Sequence, residues 1–230
     1  MYTLNIANKN YSSWSLRPWV LMKELGIPFE EKLHRFLPDT GGRSFTSFSP
    51  TGKVPMLADG DLAIWDSLAI VEYLAEHHEG VWPEEPHARA WARCAAAEMH
   101  SSFSTLRNIM TMNVGVRVKL HSVPEALHND LLRIEELWAD GLARFGGPFL
   151  VGETFTAVDA FYCPVAFRIQ TYNPPMGEKA RAYAFRLLTL DSMIDWNKAA
   201  LREDFRDHPH EADLAAAGTV TEDHRAPEKV

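Results

Sequence analysis

The 230-residue chain changes character at Trp82-Pro83-Glu84-Glu85-Pro86. Before this proline-bracketed stretch, strand and helix patterns alternate. After it, every periodic segment reads as helix. Short apolar strands alternating with helices need a sheet covered by those helices, and a run of helices without strands needs a bundle. The expectation is therefore two domains, an α/β unit over 1–80 and an all-α unit over 88–213. Residues 81–87 link them. Residues 214–230 lack periodicity and are expected to form a loose tail.

Within the first part, Tyr2 to Ala7 reads as a strand and Leu16 to Leu25 as a helix that stops at Gly26. Pro28 to Leu33 is a second strand candidate, with Phe29 and Leu33 as its core positions. Pro38 to Ser49 is rich in Gly, Ser, Thr and Pro and reads as a loop or short irregular helix. Val54 to Ala58 and Leu62 to Trp65 flank the turn pair Asp59-Gly60, which predicts a hairpin. Asp66-Ser67 then sits as a cap before a helix whose apolar face is Leu68, Val71, Leu74 and Ala75. In the second part, Ala88 to about Met112 reads as one long helix. Pro124 to Phe145 is amphipathic and ends at Gly146-Gly147-Pro148. Ala157 to about Thr171 is apolar all round, as a buried central helix is. Glu178 to Leu190 and Met193 to Leu201 supply two further helices.

Composition excludes several classes of function. A formal net charge of −8 argues against a general nucleic-acid binder, which needs clustered Lys and Arg. No apolar run approaches a bilayer span, so no membrane partner is expected. The N-terminus lacks the basic and apolar regions of an export signal, which leaves the cytoplasm as the default. Two cysteines, Cys94 and Cys163, lie among small or apolar residues, read as buried packing thiols, and form no CxxC pair. Ten histidines occur, and none falls in a metal-ligand spacing, so no metal is expected.

The chemistry is concentrated at Tyr11-Ser12-Ser13-Trp14-Ser15-Leu16-Arg17, where the first strand hands over to the first helix. Backbone N–H groups at a helix start are unsatisfied and carry partial positive charge, so an anion is stabilised there. A serine hydroxyl at that place can donate to the anion; it can equally be a plain N-cap. Further on come Val54-Pro55 at a strand start, Asp66-Ser67 at a helix start and the box Thr156-Ala157-Val158-Asp159 ahead of the apolar helix.

Taken in order, these four features resemble the cytosolic glutathione transferase family, and the resemblance runs to about Asp213. It implies a thioredoxin-like α/β N-terminal domain followed by an all-helical domain. Ser12 to Arg17 is most similar to the zeta, maleylacetoacetate isomerase-like class, with Trp14 where that class has cysteine. The co-substrate implied is glutathione and the partner a small electrophile held between the domains. A free thiol titrates at about 8.5; lowering that by one to two units is worth roughly 1.4–2.7 kcal/mol, and the two-unit end of that range ionises most of it at neutral pH. The nucleophile then belongs to the ligand, so no protein cysteine is needed.

By the same resemblance, Ser12 or Ser13 contacts the sulfur. Glutathione is held by Trp14, Lys53, Val54, Pro55, Asp66 and Ser67, with Pro55 as a cis-proline that turns the Val54 backbone toward the peptide. Tyr11, Met99, Phe103, Leu106, Arg107, Met110 and Arg168 are candidates for the electrophile pocket, the two arginines for an anionic substrate. Thr156 and Asp159 are structural. The activity implied is glutathione transfer, with isomerisation of a conjugated double bond as a subtype; the alternative is a non-catalytic interaction module on the same fold. A homodimer is implied by the family.

Overall fold

The computed structural model describes residues 1–36 and 45–229. The chain begins with β1 (Tyr2–Ala7), α1 (Ser13–Glu24) and β2 (Phe29–His34), continues with the hairpin β3 (Met56–Asp59) and β4 (Leu62–Trp65), and closes the unit with α2 (Ser67–His77). The four strands run in the order β2-β1-β3-β4. β1 and β2 are parallel, with Tyr2 opposite Phe29 and Ala7 opposite His34. β3 is antiparallel to both β1 and β4. This βαβ–ββα arrangement is a thioredoxin-like domain. Leu4 and Ile6 of β1 are fully buried, as a central strand covered on both faces requires. β2 lies at the edge, so Leu33 is 48% exposed and only Phe29 of the two expected core positions packs inward. Most of the expected loop over Pro38 to Ser49 lies outside the described residues.

The second part is helical: α3 (Pro86–Ser101), α4 (Ser104–Ile109), α5 (Glu125–Phe145), α6 (Ala157–Tyr172), α7 (Glu178–Leu188), α8 (Asp191–Leu201) and α9 (His208–Ala217), with the short strands β5 (Val116–Leu120) and β6 (Gly218–Asp223). α6 is the buried axis. Almost every side chain on it is inaccessible, and it packs against α1, α3 and α7. α5 buries Leu127, Leu131, Ile134, Leu137 and Trp138 and ends at Gly146, whose φ of 88° is the left-handed turn that glycine permits.

Three expectations are corrected. The long helix from Ala88 to Met112 is broken. Ser102 is extended, and Phe103 takes a left-handed φ of 57°. Arg107 bonds the freed carbonyls of Met99 and Ser102, and Asp130 of α5 accepts the amide of Leu106 at 2.9 Å. The exposed polar groups of the break are thus met by side chains from either side.

The tail is not loose. β6 pairs antiparallel with β5, Gly218 opposite Leu120 and Asp223 opposite Val116. Thr219, Val220 and Thr221 are β-branched and suit a strand. A side chain at Gly218 would meet the Lys119 carbonyl at 2.6 Å. Beyond the strand, the Arg225 side chain, 5% exposed, pairs with Glu211 and Asp223. Finally, Cys163 is buried but Cys94 is exposed, and both are free thiols.

Candidate functional site

The loop from β1 to α1 presents three serines with different duties. Ser12 occupies the N-cap position but makes no side-chain cap. Its hydroxyl donates to Ser15 Oγ at 2.7 Å, which in turn accepts the amide of Ala7 at 3.3 Å. Ser13 Oγ accepts from Arg168 Nη2 at 3.3 Å. Among the described residues no acceptor meets the amides of Trp14 and Ser15, so the helix start keeps open donors and its partial positive charge. Ser12 and Ser13 are nearly buried, yet both edge a cavity of about 590 Å³.

That cavity lies between the two domains. Tyr11, Ser12, Ser13 and Trp14 form one side, and Lys53 and Val54 come from the segment before β3. Arg107, Asn108, Thr111 and Met112 close the wall from α4 and the segment after it; Arg168 comes from α6, and His210 and Asp213 from α9. The Val54–Pro55 peptide is cis. Lys53, Arg107 and Arg168 bring three cations to the wall, and Asp213 is the carboxylate among the described lining residues.

The cations are unusual in their partners. Arg168 is 3% exposed and is tied by main-chain oxygens: Nε to Met110 at 2.7 Å and Nη1 to Pro164 at 3.3 Å. Burial lowers its guanidinium to about 10, still charged at neutral pH. Arg17 lies fully buried beneath, sandwiched by Trp14 at 4.1 Å and Phe161 at 4.9 Å. Its Nη1 donates to Ser67 Oγ at 3.3 Å, and its Nε has no partner. Burial, then the charges of Arg168 and Arg107, lower it to about 9. Among the described residues none of Arg17, Arg107 and Arg168 forms an ion pair with a carboxylate. Uncompensated buried cations cost free energy unless an anion joins them.

Tyr11 is occupied. Its hydroxyl donates to Glu211 Oε1 at 2.8 Å, and Arg225 Nη1 stands 3.4 Å away. Burial and the Glu211 carboxylate push its phenol far above the ordinary value, so it keeps its proton.

Other expected residues stand off the cavity wall. Met99, Phe103, Leu106 and Met110 belong to the hydrophobic core instead of the wall, and the α4 residues on the wall are Arg107 and Asn108. Pro55, Asp66 and Ser67 lie outside the wall as well. Asp66 caps α2, accepting the amide of Leu68 at 2.8 Å, and holds φ 74° and ψ 134°. Such a conformation in a residue other than glycine costs roughly 1–3 kcal/mol. Asp66 and Ser67 connect to the wall through two contacts of Trp14. His100 stands 3.5 Å from Asp66 and edge-on to the indole, and Arg17 joins Ser67 to its face. Thr156 and Asp159 are remote and wholly engaged. Asp159 accepts from the amides of Leu150 and Thr156, the Thr156 hydroxyl and the Tyr183 hydroxyl.

His210 was not among the sequence candidates. It stacks on Tyr11 with ring centroids 5.1 Å apart, and its Nδ1 meets Asp207 Oδ2 at 2.5 Å. Asp207-His208-Pro209 carries the signal that marks this helix start, an Asp cap with proline in the first turn.

Residues 11–77 match the family described as "Glutathione S-transferase, N-terminal domain". A stringent starvation protein A homolog of Haemophilus ducreyi is 25% identical over 179 residues, 75% of this chain and 79% of that protein. A probable maleylacetoacetate isomerase of Caenorhabditis elegans is 25% identical over 167 residues, 70% of this chain and 75% of that one. A solved glutathione transferase homolog from Burkholderia, crystallised with bound glutathione, superposes with a TM-score of 0.61 at 23% identity, over 86% of this chain and 97% of that one. Residues 11–77 thus match a glutathione S-transferase N-terminal domain, and the chain as a whole has a fold like that of solved glutathione transferases: a thioredoxin-like α/β domain followed by a helical one.

Proposed function

We propose that this chain is a glutathione transferase that binds glutathione with its sulfur over the start of α1 and ionises it for attack on a small electrophile. The Burkholderia homolog of the same fold was crystallised with glutathione bound, which supports the ligand. One observation carries the chemistry: Ser13 receives an N–H from Arg168 on its oxygen, and among the described residues neither its own proton nor the Trp14 and Ser15 amides meet an acceptor. Ser12, by contrast, spends its proton on Ser15. Ser13 is therefore the hydroxyl that donates to sulfur. On ionisation the thiol proton leaves to solvent, and the thiolate accepts the Ser13 hydrogen bond.

Lys53 and Arg107 on the wall favour acidic ligands, which suits the carboxylates of glutathione. The likeness to a probable maleylacetoacetate isomerase supports a finer reading: the thiolate adds to a conjugated double bond, the resulting single bond rotates, and the thiolate leaves. The test is an ultraviolet thiolate difference spectrum on adding glutathione, beside turnover of a panel of halogenated and α,β-unsaturated compounds. A thiolate band that falls in Ser13→Ala but survives in Ser12→Ala is expected. Binding without an ionised thiol would instead mark the chain as an interaction module.

A further inference from the structure

We infer that Arg168 is a positioning residue for the sulfur side of the site: it orients the Ser13 hydroxyl and lends its charge to the bound thiolate. This rests on glutathione being the ligand. The resemblance assigned Arg168 to an acidic electrophile. Its geometry points elsewhere.

A hydroxyl beside a thiolate helps only if its proton faces the sulfur. Serine is free to rotate, and any acceptor nearby can draw the proton away. At Ser13 the oxygen accepts from Arg168 Nη2 at 3.3 Å. A guanidinium has no lone pair to accept a proton, so the Ser13 hydrogen turns away from it, and with no acceptor among the described residues it is available to a ligand in the cavity that Ser13 edges. The guanidinium is itself fixed, since Nε and Nη1 are held by the carbonyls of Met110 and Pro164. Neutral carbonyls orient it without cancelling its charge, as a carboxylate would. Arg168 is 3% exposed, so solvent screens that charge poorly.

The groups facing it are Arg17 on α1, Arg107 on α4 and Tyr172 on its own helix, with Lys53, His210 and Asp213 across the cavity. Arg17 and Arg107 are cations that add to its field. Burial raises the Tyr172 phenol, which stays neutral. Sequence reasoning could find the arginine but not its object, because Arg168 and Ser13 are 155 residues apart.

The experiment titrates the thiolate absorbance of bound glutathione against pH, and measures the affinity of S-methylglutathione, which has no thiol to ionise. In Arg168→Met the bound thiol pKa should rise by about one unit, a tenfold loss of thiolate at a given pH, while S-methylglutathione affinity changes by less than about threefold. Arg168→Lys, which keeps the charge but lacks the reach to both carbonyls and Ser13, should fall between wild type and Arg168→Met. Ser13→Ala should retain part of the thiol shift, because the charge of Arg168 stays in place. This last variant leaves the buried arginine intact and reads the idea even if Arg168→Met does not fold. The inference is overturned by an unchanged thiol pKa in Arg168→Met or Arg168→Lys, by parallel loss of both affinities, or by full reversion to the free thiol value in Ser13→Ala. Wild-type protein with no thiolate band sinks the proposed function itself, a separate result.

Discussion

Two helix starts in this molecule use similar residues for opposite ends. At α6, Thr156 and Asp159 consume every group in reach: the carboxylate accepts four hydrogen bonds, including one from Tyr183 on α7 and one from Leu150 on the preceding loop. At α1, Ser12 makes no side-chain cap, Ser13 receives a hydrogen bond from Arg168, and among the described residues the Trp14 and Ser15 amides meet no acceptor. A closed helix start has spent its polar groups on the fold, and an open one leaves donors for something else to meet. The comparison teaches that a capping-type sequence is not informative by itself. What separates the two is whether the rest of the molecule supplies partners.

The largest effect should come from opening the closed start. Asp159→Ala strands two buried amides and the Tyr183 hydroxyl, and should cost about 3–5 kcal/mol of unfolding free energy in denaturant titration. The pH dependence of the same group sharpens the point. Burial raises the Asp159 carboxyl to about 6 from the ordinary 3.8. The folded state therefore binds its proton more tightly than the unfolded chain. Its contribution to stability is full below 3.8, falls as pH rises through 6, and is constant above. The change is roughly 3 kcal/mol, read as the difference between wild type and Asp159→Asn in unfolding titrations from acid to neutral pH.

Closing the open start should act on chemistry alone. Ser13→Ala should lower kcat/KM for glutathione-dependent turnover about 100-fold, ~2.7 kcal/mol, with a stability change under about 0.5 kcal/mol. Ser12→Ala should have the smallest effect, a loss of a few-fold at most in turnover, since its hydrogen bond ends on Ser15 and its cap position is unused. If Ser12→Ala were the more damaging of the two, the assignment of open and closed hydroxyls would be reversed.

What could be read from the sequence followed local rules. Strand periodicity, the Asp59-Gly60 turn and the apolar run of α6 each depend on neighbours within a few residues, and each is present. Ser12, Ser13, Lys53 and Val54, named through the family resemblance, lie on the cavity wall. The failures share another cause. Met99, Phe103, Leu106 and Met110 were placed by assuming one continuous helix, and the break at Phe103 depends on Arg107 and Asp130 meeting its polar groups. β6 was missed because its partner strand lies about a hundred residues earlier, beyond any turn signal. His210 escaped for the same reason: its place beside Tyr11 exists only once α9 has docked.

The loop that carries the serines is held from several places: Glu31 and Phe36 nearby, Val114 and Gly115 in mid-chain, and a set of residues after Asp195. Glu203 accepts the amides of Lys9 and Asn10 across a separation of some 194 and 193 residues, Trp196 donates to the Lys9 carbonyl, and Arg225 secures Glu211 beside Tyr11. These clasps form only once α8 and the residues after it have docked against the loop. A protease nick between α9 and Arg225 would detach Arg225 from Glu211 and loosen Tyr11 while sparing the bulk of the folded body.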